Sequence, residues 1–112
     1  MDFGFSPEQD TMRESVRRFM RERVAPRVAE CEKQREFAWD LLPQLQPFGY
    51  LGGLLPEEAG GFGMRYADWA ILMEEAGRTL ASGPLAEAVV AARLLGQLDA
   101  DEALVGRVIG GE

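Results

Sequence analysis

The stretch from Phe48 to Met64, Phe-Gly-Tyr-Leu-Gly-Gly-Leu-Leu-Pro-Glu-Glu-Ala-Gly-Gly-Phe-Gly-Met, has the composition of a loop that could cradle a phosphate. Such loops converge their backbone amides on the anion, either as G-x-G-x-x-G opening a helix after a strand or ending in Gly-Lys-Ser/Thr. Neither pattern is present, and Glu57 and Glu58 stand where they would repel a phosphate. The stretch reads instead as a compact turn. Gly49 suits the left-handed residue just past a helix end, Pro56 holds Leu55 extended, and Gly60, Gly61 and Gly63 re-aim the chain. Other chemistry is sparse. Glu74 and Glu75 are adjacent, but neighbours on a helix point about 100° apart, so they read as solvent-side charges rather than an acid/base pair. Arg13, Arg17, Arg18 and Arg21 form a row that reads as a solvated face before a docking surface. Cys31 reads as a small apolar core residue. The chain has no histidine, which removes the commonest general base and metal ligand, and its single cysteine permits neither an internal disulfide nor a zinc knuckle.

Helices must position whatever these residues do. Ser6-Pro7-Glu8-Gln9 opens the first, with Ser6 as cap, Pro7 at the first helical position and Gln9 completing a capping box. Met12, Val16, Phe19, Met20 and Val24 then recur at three- and four-residue spacing. Pro26 crosses this stripe, so a kink or short break is expected there, with helix resuming to about Gln34. A second, weaker helix is expected from about Trp39 to Phe48, with Pro43 tolerated in its first turn. A third runs from about Tyr66 to Leu80, with Trp69, Leu72, Met73, Ala76 and Leu80 on one face and Glu74 and Arg78 four apart in the favourable order. Ser82-Gly83-Pro84 introduces a fourth, Leu85 to Leu95, which is apolar nearly all round and therefore expected to be buried on most sides. Gly96 is expected to end it. Asp99 and Glu102 form another capping-box pattern, starting a last helix to about Ile109. No run alternates with period two for long enough to make a convincing strand. The expected fold is all-α, about five helices in one domain spanning 1–112.

Composition agrees with a folded core and narrows the partners. Apolar residues make up 46% of the 112, and 19 acids against 12 bases leave a net charge of −7. That balance weighs against nucleic acid and anionic membranes as partners. The N-terminus lacks a basic-then-apolar signal pattern and no apolar run approaches the length of a membrane span, so a reduced, cytoplasmic setting is expected. Taken alone, these residues describe a helical domain without a triad, a metal set or a nucleotide fingerprint.

The order of the motifs adds a resemblance. Phe5-Ser6-Pro7-Glu8-Gln9, Val24-Ala25-Pro26, Leu45 to Gly49, Leu55-Pro56-Glu57-Glu58-Ala59-Gly60-Gly61-Phe62-Gly63, Met73-Glu74-Glu75-Ala76-Gly77-Arg78 and Gly110-Gly111-Glu112 follow one another as in the N-terminal helical domain of the acyl-CoA dehydrogenase family. The resemblance covers essentially the whole chain. Its specific parts are Pro-Glu-Glu-x-Gly-Gly-x-Gly and Glu-Glu-x-Gly-Arg; Ala59 departs mildly from an aromatic often found there. Ser82-Gly83-Pro84-Leu85 resembles the shorter loop of bacterial members, some of which act on bulky or steroid-derived thioesters.

The resemblance implies α,β-dehydrogenation of an acyl-CoA thioester, in which a glutamate takes the α-proton and flavin N5 accepts the β-hydride. It implies FAD in the complete enzyme and an oligomer when complete. The flavin and the catalytic glutamate belong to a middle β-domain and a C-terminal four-helix domain, which are absent from this sequence; its end at Gly110-Gly111-Glu112 is expected to lie just before the middle domain. No catalytic base is therefore assigned here, and no flavin is expected to bind this chain alone. What it would supply is one wall of the acyl pocket, from the helix after Gly83, with Gly83, Leu85, Glu87, Ala88 and Ala91 as candidates. The same alanines could simply let helices pack closely. Two other readings stand beside the first: a stand-alone helical interaction module or partner subunit without its own chemistry, and a homologue doing related flavin chemistry such as oxidation by oxygen or nitroalkane turnover.

Overall fold

A computed structural model describes residues 3–81 and 83–112; the Ser82 part of the loop before Pro84 lies outside them. Six α-helical segments run α1 (Pro7–Phe19), α2 (Ala25–Gln34), α3 (Leu42–Leu45), α4 (Tyr66–Arg78), α5 (Leu85–Gln97) and α6 (Glu102–Gly110). Among the described residues there is no strand, and no helix is long and apolar enough to cross a membrane.

The first helix starts as its sequence dictates. Ser6 Oγ accepts from the Gln9 amide at 3.2 Å, and Gln9 Oε1 accepts from the Ser6 amide at 3.0 Å, so two orphan amides of the helix end are each satisfied by the other residue's side chain. Near Pro26 the chain does not leave the helix. The interruption is a π turn over Met20–Val24, closed by the Ala25 amide donating to the Met20 carbonyl, and α2 follows directly with Pro26 in its first turn. A proline has no amide to donate and crowds the preceding turn. The wider π turn, a recognised site of helix kinking, accommodates it, and Val16, Met20, Val24 and Cys31 remain buried along the whole length.

The segment expected from Trp39 to Phe48 is a 3-10 turn (Trp39–Leu41), the single turn α3, and a second 3-10 turn (Gln46–Phe48); both prolines fall at turn starts. Gly49 ends it with φ +93°, its amide donating to the Gln46 carbonyl at 3.0 Å. The turn that follows is tightly folded on itself. A Cβ on Gly61 would lie 2.2 Å from the Leu55 carbonyl oxygen, so only glycine fits that approach.

Two expected boundaries are corrected. α5 continues past Gly96 to Gln97, and Asp99, not a glycine, takes the left-handed position at φ +50°, with the Ala100 amide reaching back 3.0 Å to the Leu95 carbonyl. Asp99 therefore closes α5 instead of opening α6. The cap of α6 is Asp101, whose carboxylate accepts from the Ala103 amide at 2.9 Å.

The helices form a plate with principal extents of 41 × 40 × 17 Å. Its larger core holds Val16, Met20, Leu45, Tyr50 and Leu72; a smaller one holds Leu55, Ala92, Val105 and Ile109. Tyr50 is fully buried and its hydroxyl donates to the Leu72 carbonyl at 2.6 Å, tying the glycine turn to α4.

Candidate functional site

The start of α5 is set by backbone geometry. Gly83 has φ +144°, and its missing Cβ would face Phe37 Cζ at 3.5 Å and Leu42 Cδ2 at 3.7 Å. Pro84 follows as the cap residue, and the Ala88 amide bonds its carbonyl at 2.8 Å. Between this turn and the C-terminal end of α4 runs an open, mainly apolar groove of about 440 Å³, walled by Met73, Gly77 and Leu80 on one side and by Gly83, Leu85 and Glu87 on the other. A Cβ on Gly77 would meet nothing within 4 Å, so that helical glycine adds open space to the groove.

Three of the five candidates, Gly83, Leu85 and Glu87, thus share one groove. Ala88 packs against the larger core, and Ala91 faces outward on the next turn of α5. The helix is not buried on most sides. Leu85, Val89 and Ala92 are buried, while Val90 and Leu94 are 55% and 52% exposed. The apolar sequence of α5 therefore has more surface to bury than these 112 residues cover. Chemically the groove can receive an apolar group. Glu87 is its one ionisable lining residue, exposed at the rim, so it offers no paired acid and base.

Leu80 does not join the buried face of α4. It follows the helix end at φ +53°, 75% exposed, on the rim of the groove.

Glu75 is the larger departure. It is 1% exposed, not solvent-side. Arg17 holds it bidentately, Nη2 to Oε1 at 2.8 Å and Nε to Oε2 at 3.2 Å, while Arg78 Nε and Arg13 Nε lie 3.6 and 3.9 Å from Oε1. The hydrogen bonds from Arg17, and then the charges of Arg17, Arg78 and Arg13, hold this carboxyl below its ordinary range against the opposing effect of burial. Arg13 also pairs with Glu74 at 3.0 Å, and Gln9 Nε2 donates to Asp68 at 2.7 Å, so α1 and α4 are joined by three polar links one turn apart. The signal was in the sequence: Ile71 and Leu72, four and three residues earlier, put Glu75 on the buried face.

The glycine turn does not fit a phosphate or a flavin pyrophosphate. The amides of Gly49, Gly53, Gly60, Gly61 and Gly63 all donate to carbonyls within residues 46–57. A wider hollow of about 750 Å³ lies between this turn and α5–α6, and its ionisable lining is Glu58, Asp99 and Glu102, which disfavours anions there too. Among the described residues no group of histidine, cysteine and carboxylate side chains is arranged to hold a metal.

Comparison with known proteins places these features. A family model described as acyl-CoA dehydrogenase, N-terminal domain, matches residues 6–100. The chain is 33% identical to benzylmalonyl-CoA dehydrogenase of Aromatoleum aromaticum over 86% of its own length and 25% of that protein. It is 40% identical to mitochondrial long-chain specific acyl-CoA dehydrogenase of Sus scrofa over 71% of its length and 19% of that protein. With 3-sulfinopropanoyl-CoA desulfinase of Paraburkholderia xenovorans the figures are 29%, 71% and 21%. The chain thus spans a quarter or less of the length of these relatives.

Proposed function

With residues 6–100 matched to its N-terminal domain, this chain belongs to the acyl-CoA dehydrogenase family, and from that premise we propose that residues 1–112 serve as the N-terminal helical domain of a flavin-dependent enzyme that dehydrogenates an acyl-CoA thioester. The family match carries the reading, and the groove at the start of α5 gives it a place. In this reading the groove beside Gly83, Leu85 and Glu87 forms part of the wall against the distal end of the acyl chain, with Ala88 and Ala91 on the following turns. Gly77, where an added Cβ meets nothing within 4 Å, leaves room for a bulky acyl group rather than filling it. FAD and the catalytic base come from the remaining domains of the complete, oligomeric enzyme, in the cytoplasm. The glycine turn supports that division, since the amides of Gly49, Gly53, Gly60, Gly61 and Gly63 are spent on carbonyls of the turn itself.

The test is the natural gene product. A longer polypeptide, or a stable complex with a second chain, that carries FAD and reduces an electron acceptor when given a thioester is the expected outcome. A natural product of these residues alone, with no partner and no saturable response to acyl-CoA, would refute the reading. It would leave the helical interaction module.

One observation favours a second reading of the chemistry. A relative of similar coverage is named a desulfinase rather than a dehydrogenase, so the same domain can sit on an enzyme whose thioester loses a different group. Assaying sulfinate release beside acceptor reduction separates the two.

A further inference from the structure

Behind the turn at Gly83 stands an aromatic side chain that is held rigidly and lies outside the groove. α2 ends at Arg35, which takes the left-handed position at φ +56°, and the Glu36 amide reaches back 3.0 Å to the Cys31 carbonyl. Phe37, Ala38 and Trp39 then form a tight three-residue turn, with Ala38 at φ −81° and ψ +65° and the Trp39 amide donating to the Phe37 carbonyl at 2.9 Å. The turn brings the Phe37 and Trp39 rings together, 4.4 Å between centroids and 52° between planes. Ala38 is buried, and Arg27 Nε donates to both carboxylate oxygens of Asp40, at 3.0 and 3.1 Å, tying the far side of the turn to α2. Phe37 is thus fixed between a helix end and an ion pair.

The segment it faces is held at its ends. In the loop from α4 to α5 the Ala81 amide donates to the Ala76 carbonyl at 3.0 Å, and the Ala88 amide to the Pro84 carbonyl at 2.8 Å. Between them Gly83 takes φ +144°, a conformation open to glycine and rarely to other residues. A Cβ there would lie 3.5 Å from Phe37 Cζ and 3.7 Å from Leu42 Cδ2, so these two side chains stand behind the turn with room for a methyl group and no more. The described groove lining includes Gly83 and Leu85 but not Phe37 or Leu42, which therefore back the wall from outside. Leu42 is buried in the larger core, whereas Phe37 is half-buried and packs on the edge of that core. Close-packed side chains pass a change of volume on to their neighbours.

We propose that Phe37 is a positioning residue that sets the width of the acyl groove, because its ring limits how far the Gly83–Pro84 turn leans away from α4. This rests on the groove being the acyl wall proposed above, and adds a specificity-determining residue that does not itself touch the acyl group. A side chain of shorter reach lets the turn retreat and admits a bulkier group. A larger one fills the gap behind Gly83 and pushes the turn toward Met73 and Gly77 across the groove. In an apolar site one methylene is worth about tenfold or more in discrimination, so a small displacement of the turn is readable in the substrate profile.

A substrate profile of the complete natural protein tests it. Wild type and Phe37 variants are assayed with a short straight-chain thioester and with a branched or ring-bearing one. Phe37→Ala should raise the kcat/KM ratio of the bulky to the short thioester by about tenfold, and Phe37→Trp should lower it. Phe37→Tyr keeps the ring and should keep the wild-type ratio. The shifts should lie in KM rather than kcat. Val105→Ala, a truncation in the smaller core, is the control for stability, and should lower the melting temperature without moving the ratio. Where Phe37→Ala does not fold, Phe37→Leu takes its place in the series. Ratios that stay at the wild-type value, that move the same way in the small and large variants, or that move as much in Val105→Ala overturn the proposal while leaving the proposed function intact. A wild-type protein that responds to no acyl-CoA thioester overturns both.

Discussion

Replacing Glu75 by glutamine keeps the shape of the side chain and removes its charge from the centre of the α1–α4 seam. In the wild type the carboxylate takes a bidentate pair of hydrogen bonds from Arg17 and has Arg13 and Arg78 within 4 Å, all at a position 1% exposed. Hydrogen bonds to a charged group contribute about 1.5–3 kcal/mol, and losing one partner of a fully buried ion pair costs about 3–5 kcal/mol. Here the arginine side chains are 21–55% exposed and recover water when the charge is gone, which puts the expected loss for Glu75→Gln below the buried-pair range and in the upper part of the hydrogen-bond range, about 2–3 kcal/mol. For a domain of this size that lowers the melting temperature by about 10 °C. Calorimetry or urea unfolding of the purified chain measures it, with Glu74→Gln, whose side chain is 45% exposed, as a control expected to change stability by less than about 0.5 kcal/mol. The pH dependence adds a second constraint. Because the folded carboxyl titrates below its unfolded value of about 4.3, the contribution is complete above that value and is lost as pH falls through the depressed folded value. The gap between wild type and Glu75→Gln should therefore close on acidification. A gap under about 0.5 kcal/mol at neutral pH, or one that widens in acid, would show that the pair is not holding the seam.

Four further outcomes follow from other parts of the fold. Gly61→Ala places a Cβ 2.2 Å from the Leu55 carbonyl oxygen and should cost at least about 1–3 kcal/mol in urea unfolding, whereas Gly77→Ala meets nothing within 4 Å and should stabilise α4 by about 0.5–1 kcal/mol. Leu80→Gly relieves a left-handed leucine that is 75% exposed and should raise the melting temperature, by relief of strain of about 1 kcal/mol. Ala88→Leu should lower stability by about 1–3 kcal/mol because it overpacks the core, while Ala91→Leu should leave the melt unchanged and shift acyl preference in the complete enzyme; a changed melt at Ala91 with an unaltered substrate profile would reject its place in the wall. Burial first, and the Glu75 charge second, push the Tyr50 hydroxyl above its ordinary value, so stability is unaffected below about pH 10 and falls as pH rises beyond it. Absorbance at alkaline pH should show Tyr50 ionising with unfolding rather than before it.

Much of this architecture was legible because it depends on local rules. The capping box at Ser6 and Gln9, the helix end at Gly49 and the disturbance near Pro26 each follow from a few adjacent residues. The boundary between α5 and α6 was misread because two acids lie near it and the sequence does not say which one reverses the chain. Asp99 and Asp101 both suit a cap, and the backbone uses the first to close one helix and the second to open the next. The Arg13–Arg17 row was read as solvated because α1 alone cannot reveal that α4 crosses it with a carboxylate. At the candidate groove, the glycine and the helix start were readable, but the exposure of Val90 and Leu94 was not. An apolar helix announces that it will be covered, not which polypeptide covers it.

The π turn at Met20–Val24 also corrects an angular error. Val16, Met20, Val24 and Val28 recur every fourth residue, and in an uninterrupted α-helix each such step drifts by about 40° around the axis. Three steps would swing the inward row by about 120°, enough to turn Val28 away from the core. A π turn takes up one residue more than an α turn, about 100° of rotation, and so restores the phase just before Pro26 fixes the backbone. Deleting one residue from this segment would convert it to plain α-helix and leave α2 in phase, whereas forcing it into α-helix with every residue kept would rotate everything downstream by about 100°. Glu30 of α2 would then be carried toward the side now occupied by Cys31.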